Sequence, residues 1–196
     1  MVAIASRGMT LAEFLAFYPE EDIRYELENG KLLEMPPEKN LNQRIASFLF
    51  AYFLQMGIRP GCLRIGLEVA VTGSKESVRI PDLVVLSVAA DLALENARRS
   101  TIMPDMPPPE LVVEVVSPGK ENISRDYRYK RAQYQAREIN EYWIVDPMAN
   151  KVTILTLNEG LYDEAVFSGA DVLVSPLLQE SQLGNKVTAA QVLQQT

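Results

Sequence analysis

None of the 196 residues is a histidine, and that absence removes whole classes of chemistry. Ser-His-Asp triads, HExxH zinc sites, HNH-type nucleases and every imidazole acid or base are excluded. The single cysteine, Cys62, leaves no internal disulfide and no multi-cysteine zinc or iron–sulfur site, and it fits a reducing cytoplasm. Long apolar runs are missing as well. The most apolar stretch, Ile45–Leu54, is about half of the ~20 residues that a membrane span needs, so a buried helix is expected there. Met1–Arg7 has no basic start followed by a long apolar stretch, so no secretory signal is evident. Positive charge is in deficit: the net charge of −7 argues against a general nucleic-acid coat, though not against local binding. The chemistry left open belongs to carboxylates, lysine, hydroxyls or a metal held by oxygen.

What is present reads as one globular domain over residues 1–196, with 47% hydrophobic and 23% charged residues. Charge is unevenly spread. Lys120–Arg137 carries six bases against two acids, whereas Thr10–Glu38 carries eight carboxylates against Arg24 and Lys31. Thr10-Leu-Ala-Glu13 predicts a capping box and a short helix ending near Pro19. Arg24–Glu28 and Lys31–Met35 predict strands joined at Asn29-Gly30, a strong signal for a tight hairpin. Asn40–Met56 predicts a helix, apolar on most sides. Strands are expected at Leu63–Val71, Ile80–Leu86, Leu111–Val116, Glu141–Val145, Lys151–Leu157 and Tyr162–Phe167, and helices at Ala89–Ala97, Ser124–Glu138 and Thr188–Leu193. Met103–Pro109, with its four prolines, is expected to be an extended loop. No repeat or dividing linker interrupts this order, which predicts a mixed α/β architecture.

Three residues stand out chemically. Glu114 lies in Leu111-Val-Val-Glu-Val-Val116 and shares a strand face with Val112 and Val116. Ionised there, it costs several kcal/mol unless a positive group answers it: an arginine in a structural ion pair, or a metal ion at the strand's end near Ser117-Pro118-Gly119. Asp82 follows Pro81 at a strand entrance, where a solvated aspartate is the ordinary reading. Lys130 shares one helical stripe with Tyr127 and Tyr134, and Asp126 stands four residues before it. A lysine snorkelling over apolar surface would look the same. Their order carries more than each alone. Aspartate at a strand start, glutamate in a buried strand 32 residues on, and lysine on the next helix can bind Mg²⁺ or Mn²⁺ without histidine.

Five ordered motifs resemble a known family: Arg24-Tyr-Glu-Leu-Glu-Asn-Gly30, Pro81-Asp82, Val113-Glu-Val-Val-Ser-Pro118, Asp126-Tyr-Arg-Tyr-Lys130 and Glu141-Tyr-Trp-Ile-Val-Asp-Pro147. In that order they are similar to the Uma-two family, bacterial restriction-endonuclease-like proteins of the PD-(D/E)XK superfamily, over roughly Thr10 to Leu193. The resemblance implies a restriction-endonuclease-like core, a central mixed sheet flanked by helices, with an added N-terminal helix and hairpin. It implies that Asp82 and Glu114 hold Mg²⁺ with the Val115 carbonyl, and that Glu26 is the family's glutamate near the site. The motif's usual lysine slot holds Val116, so Lys130 stands for a lysine relocated to the following helix, with Lys120 as the fallback. Where many relatives carry a histidine before the buried helix, this chain has Asn40 and Asn42.

The expectation is therefore a Mg²⁺-dependent phosphodiesterase acting on DNA, with Glu26, Asp82, Glu114 and Lys130 catalytic and with Arg125, Arg128 and Arg131 touching the backbone. The rival is a catalytically silent binding or assembly module of the same fold, favoured by the acid excess, Val116 and the missing histidine. A third reading, a metal phosphohydrolase of small molecules, stays open because nothing in the chain reads bases. A homodimer would let one site face each strand of a duplex, and Leu161–Leu178 offers apolar residues for it, by analogy alone.

Overall fold

The computed structural model describes residues 8–19, 23–72, 75–179 and 186–194. Helix α1 (Leu11–Ala16) opens on a reciprocal cap: Thr10 Oγ1 accepts the Glu13 N–H at 3.2 Å, and Glu13 Oε2 accepts the Thr10 N–H at 2.8 Å. Strands β1 (Tyr25–Glu28) and β2 (Lys31–Glu34) form the hairpin. Asn29 at φ 50° and Gly30 at φ 76° supply the two left-handed residues that a type I′ turn requires. Helix α2 (Asn40–Gln55) buries Ile45, Leu49 and Phe53 along one face and leaves Leu41 and Leu54 exposed, so it is more one-sided than its composition suggests.

One expected strand is divided and another is shortened. Leu63–Val71 is β3 (Leu63–Arg64) and β4 (Glu68–Val71), parted at Gly66, whose φ of 75° turns the chain. Ile80–Leu86 is only partly strand: β5 (Ser77–Arg79) and β6 (Leu83–Val85) lie on either side of Ile80-Pro81-Asp82. β3 and β4 belong to different sheets, and so do β5 and β6. Apolar alternation reports that a residue faces a core, not which sheet it joins, so the pattern runs through the switch unbroken.

Helix α3 (Val88–Leu94), capped by Ser87, leads to the two-residue β7 (Thr101–Ile102), and the proline-rich loop leads to β8 (Leu111–Val115). The helix expected from Ser124 starts four residues earlier. It comprises α4 (Lys120–Ser124), a π-helical segment at Arg125–Lys130, and α5 (Arg131–Ala136). Strands β9 (Glu141–Asp146), β10 (Lys151–Asn158) and β11 (Leu161–Phe167) form a meander, followed by the short helices α6 (Pro176–Gln179) and α7 (Ala189–Val192).

Instead of one central sheet, the strands build two mixed ones, ordered β2-β1-β5-β4-β7 and β11-β10-β9-β8-β6-β3. In the second, β8 runs parallel to β9 and antiparallel to β6. One face of β8 (Leu111, Val113, Val115) packs with Ile45, Leu49 and Phe53 of α2 and with Trp143. The other face (Val112, Val116) meets Tyr134, Tyr142 and Ile144, together with Val69 and Val71 of the first sheet. A third cluster, Phe14, Leu27, Leu32, Ala70 and Val78, anchors α1 on the first sheet. Among the described residues no helix is long and apolar enough to cross a membrane.

Candidate active site

Register brings the acids together. Leu83 pairs with Val113 and Val84 with Val112, so one step further the antiparallel β6–β8 ladder sets Asp82 opposite Glu114. Residues opposed in this way share a face, with Cβ atoms about 5 Å apart. Asp82 Oδ2 accepts the Val115 N–H at 2.6 Å, which fixes the aspartate against the end of β8. In the first sheet, Leu27 pairs with Val78, and the same arithmetic opposes Glu26 to Arg79. Their side chains form an ion pair at 2.9 Å, both completely buried. The crossing segment ties the two sets together, for the Ile80 N–H donates to Glu26 Oε1 at 3.1 Å.

Lys130 stands between the two sheets. Its Nζ lies 2.7 Å from Glu114 Oε2, 3.5 Å from Asp126 Oδ1 and 3.9 Å from Glu26 Oε1, and its side chain is 2% exposed. The second Glu114 oxygen accepts the Tyr134 hydroxyl at 2.6 Å. The positive group that answers Glu114 in this structure is thus a lysine, and the buried arginine nearby, Arg79, serves Glu26, Glu28 and Gln133. Asn42, buried on α2, donates to the Val115 carbonyl and to Ser117 Oγ, each at 3.2 Å. A cavity of about 430 Å³ opens beside these groups, lined by Asp82, Glu114, Lys130, Asn42, Arg125 and Asp126 among others.

Electrostatics separate the carboxylates. Burial in the aliphatic face pushes the Glu114 carboxyl up to about 7, against the pull of Lys130. Burial, followed by the negative charges of Glu114 and Glu38, raises Asp82 well above the usual range. Burial alone would raise Glu26 too, but Lys130, Arg79 and Arg125 together hold it down at about 2. The surrounding carboxylates overcome desolvation at Lys130 and raise its pKa, so it is a firmly held ammonium. It can donate hydrogen bonds and positive charge, and it does not act as a base at neutral pH.

The other expected positions scatter. Arg125 is half-buried and lines the cavity, with its Nε 3.6 Å from Asp126 Oδ1. Arg128 is exposed. Arg131 turns to the meander, pairing with Glu164 at 2.6 Å. Lys120 is exposed at the start of α4 and is not among the residues that line the cavity. Tyr127 leaves the stripe it was expected to share with Lys130: its hydroxyl donates to Asp146 at 3.2 Å and its ring carries the Lys151 ammonium. The wider π turn causes this, because i and i+3 no longer coincide there as they do in an α-helix. Arg79, Gln133 and the Tyr134 hydroxyl escaped the sequence reading. Complete burial of Glu26 demands the Arg79 cation, but periodicity reads Glu26 as a solvated strand residue, so the sequence carries no signal for that partner.

Residues 11–188 match the family model Uma2, described as "Putative restriction endonuclease". The chain belongs to the Uma2 family. Among solved structures, a "putative nuclease belonging to DUF820" from Anabaena variabilis ATCC 29413 matches with a TM-score of 0.68 at 16% identity. The match covers 95% of this chain and 98% of that one, and it establishes a shared fold. No curated protein matches the sequence. Both findings agree with a mixed α/β, restriction-endonuclease-like architecture, and the Uma2 match extends across every motif from Thr10 onward except the first residue of the cap.

Residues of this Uma2 chain can be tested against a divalent cation. Among the described residues no group of three or more His, Cys, Asp or Glu side chains forms a ready metal cage. Mg²⁺ does not require one, since it is commonly held by one or two carboxylates with waters and substrate phosphates completing its shell. Asp82 and Glu114, opposed in register beside the cavity, supply two hard oxygen donors. The donor set fits Mg²⁺ or Mn²⁺.

Proposed function

We propose that this chain is a metal-dependent nuclease that hydrolyses phosphodiester bonds in DNA. The observation that carries the reading is the opposition of Asp82 and Glu114 across β6 and β8, with the Lys130 ammonium 2.7 Å from the glutamate. Asp82, Glu114 and the Val115 carbonyl would hold Mg²⁺ or Mn²⁺, which when bound polarises the phosphate and acidifies a water. Water attacks phosphorus, the bond to the leaving oxygen breaks, and that oxygen takes up a proton. Lys130 orients the water or neutralises charge on a non-bridging oxygen. Glu26 and Arg79 are positioning residues that fix Lys130 from behind, and Asn42 fixes the Val115 carbonyl. Arg125, at the cavity wall, is the arginine best placed for the phosphate backbone, with exposed Arg128 beside it in sequence.

A silent binding module has one specific observation in its favour: both Glu114 oxygens are already engaged, by Lys130 and by Tyr134. One set of measurements decides. Mn²⁺ should raise the melting temperature of the wild type and support nicking of circular single-stranded DNA. Asp82→Asn, which keeps an acceptor for the Val115 N–H, should lose both effects and stay folded by circular dichroism. Nicking at the same rate by wild type and variant would identify a contaminant, and a melting temperature indifferent to Mn²⁺ would establish the silent module.

A further inference from the structure

Next to the cavity beside Asp82 and Glu114 lies a second groove, of about 450 Å³, between the β1–β2 hairpin and the helix that carries Lys130. It shares two wall residues, Arg125 and Glu121, with the cavity. The remaining wall includes Leu33, Lys31, Ser124 and Tyr129. Tyr129 is 56% exposed, and among the described residues it makes no hydrogen bond, ion pair or ring contact. Its helical neighbours differ: Asp126 and Lys130 are 2% exposed and committed to the buried network. A large aromatic ring held at the mouth of a groove, one residue before the central lysine, has an unoccupied π-face.

We propose that this groove receives an unpaired nucleobase, stacked on Tyr129, of the DNA strand whose phosphate enters the neighbouring cavity. The inference rests on the phosphodiesterase reading and names its substrate as single-stranded. Chemistry and placement support it. Stacking on an aromatic face tolerates any base, and Leu33 closes the groove with apolar surface. Arg125, common to both walls, can hold the phosphate that links the base to the scissile bond, and Lys31 supplies positive charge on the far side. Within a duplex both faces of each base are already covered. The acids around the opening, Glu28 and Glu121, together with a net charge of −7, disfavour the doubled charge density of duplex DNA.

The test measures binding and hydrolysis separately. Fluorescein-labelled oligothymidylate is titrated with the full chain in Ca²⁺ and followed by anisotropy, with the same label on a thymine–adenine duplex as the second probe. Tyr129→Ala should weaken oligothymidylate binding about tenfold or more, whereas Tyr129→Trp should retain or tighten it. Duplex should bind the wild type more weakly than the single strand. Equal affinity of Tyr129→Ala and wild type for oligothymidylate would overturn the base platform, and so would a preference for duplex. Hydrolysis of bis(p-nitrophenyl) phosphate by the wild type in Mn²⁺ reports on the cavity alone. If that diester is left intact while Tyr129→Ala still loses the oligonucleotide, the hydrolytic reading falls and the base platform stands.

Discussion

Glu26 and Glu114 are both fully buried and both face the Lys130 ammonium, yet burial and charge move their carboxyls in opposite directions. The difference is one of partner count. Glu26 has Lys130, Arg79 and a backbone N–H, and it is held at about 2. Glu114 has Lys130 and a hydroxyl in an aliphatic wall with Asp126 nearby, and it is pushed up to about 7. Glu26 thus stabilises the fold above its unfolded value of 4.5, and that contribution, on the order of 3 kcal/mol, is lost as pH falls from about 4.5 to about 2. Glu114 works the other way. Between about 4.5 and about 7 the folded state holds a proton that the unfolded chain has released, so stability drops as pH rises through that window. Asp82, also raised, adds to the same loss. Urea titrations from pH 4 to 8 should show wild-type stability declining toward neutral pH. Glu114→Gln should flatten that decline and leave the part due to Asp82. A wild-type curve that rises steadily through pH 7 would contradict the assignment.

Elements were legible in proportion to how local their determinants are. The capping box at Thr10, the Asn29-Gly30 hairpin and the β9–β11 meander all rest on residues within a few positions of one another, and each is found where the sequence places it. The strand switches at Gly66 and at Ile80-Pro81-Asp82 were not legible, because both sheets bury the same apolar side chains. The π turn was invisible for a related reason: one residue more or less in a helical repeat leaves composition untouched while turning Tyr127 away from the site. Of the candidate site, the acids and Lys130 were legible as residue types in an order, whereas the network that seats them, Arg79, Gln133, Asn42 and the Tyr134 hydroxyl, depends on contacts between distant segments. The hairpin offers a direct test of a locally encoded element. A Cβ on Gly30 would combine a φ of 76° with an approach of 3.3 Å to the Met9 carbonyl oxygen. Gly30→Ala should lower unfolding free energy by about 1 kcal/mol or more in chemical denaturation, while the same change at Gly8, whose added Cβ meets nothing closer than 3.8 Å, should have less effect.

At the scale of the molecule, the uneven charge of the sequence becomes an internal seam. The acidic N-terminal hairpin and the basic helix meet each other, with Glu26 against Lys130, while Glu28 closes on Arg79 of the neighbouring strand at 3.0 Å. Part of the charge that might have faced a partner is consumed inside, while Arg24, Arg44, Arg59, Arg98 and Arg128 stay exposed. The two strand switches hold the halves of this seam in place by covalent means. Because β3 continues into β4 and β5 into β6, neither sheet can fray away from the other without dragging two of its own strands along. Amide exchange should therefore record a common opening energy for Val78 in one sheet and Val84 in the other, both completely buried, with the two protection factors falling in parallel as denaturant is added. Such a chain melts like a knitted cuff in which one dropped stitch loosens both rows.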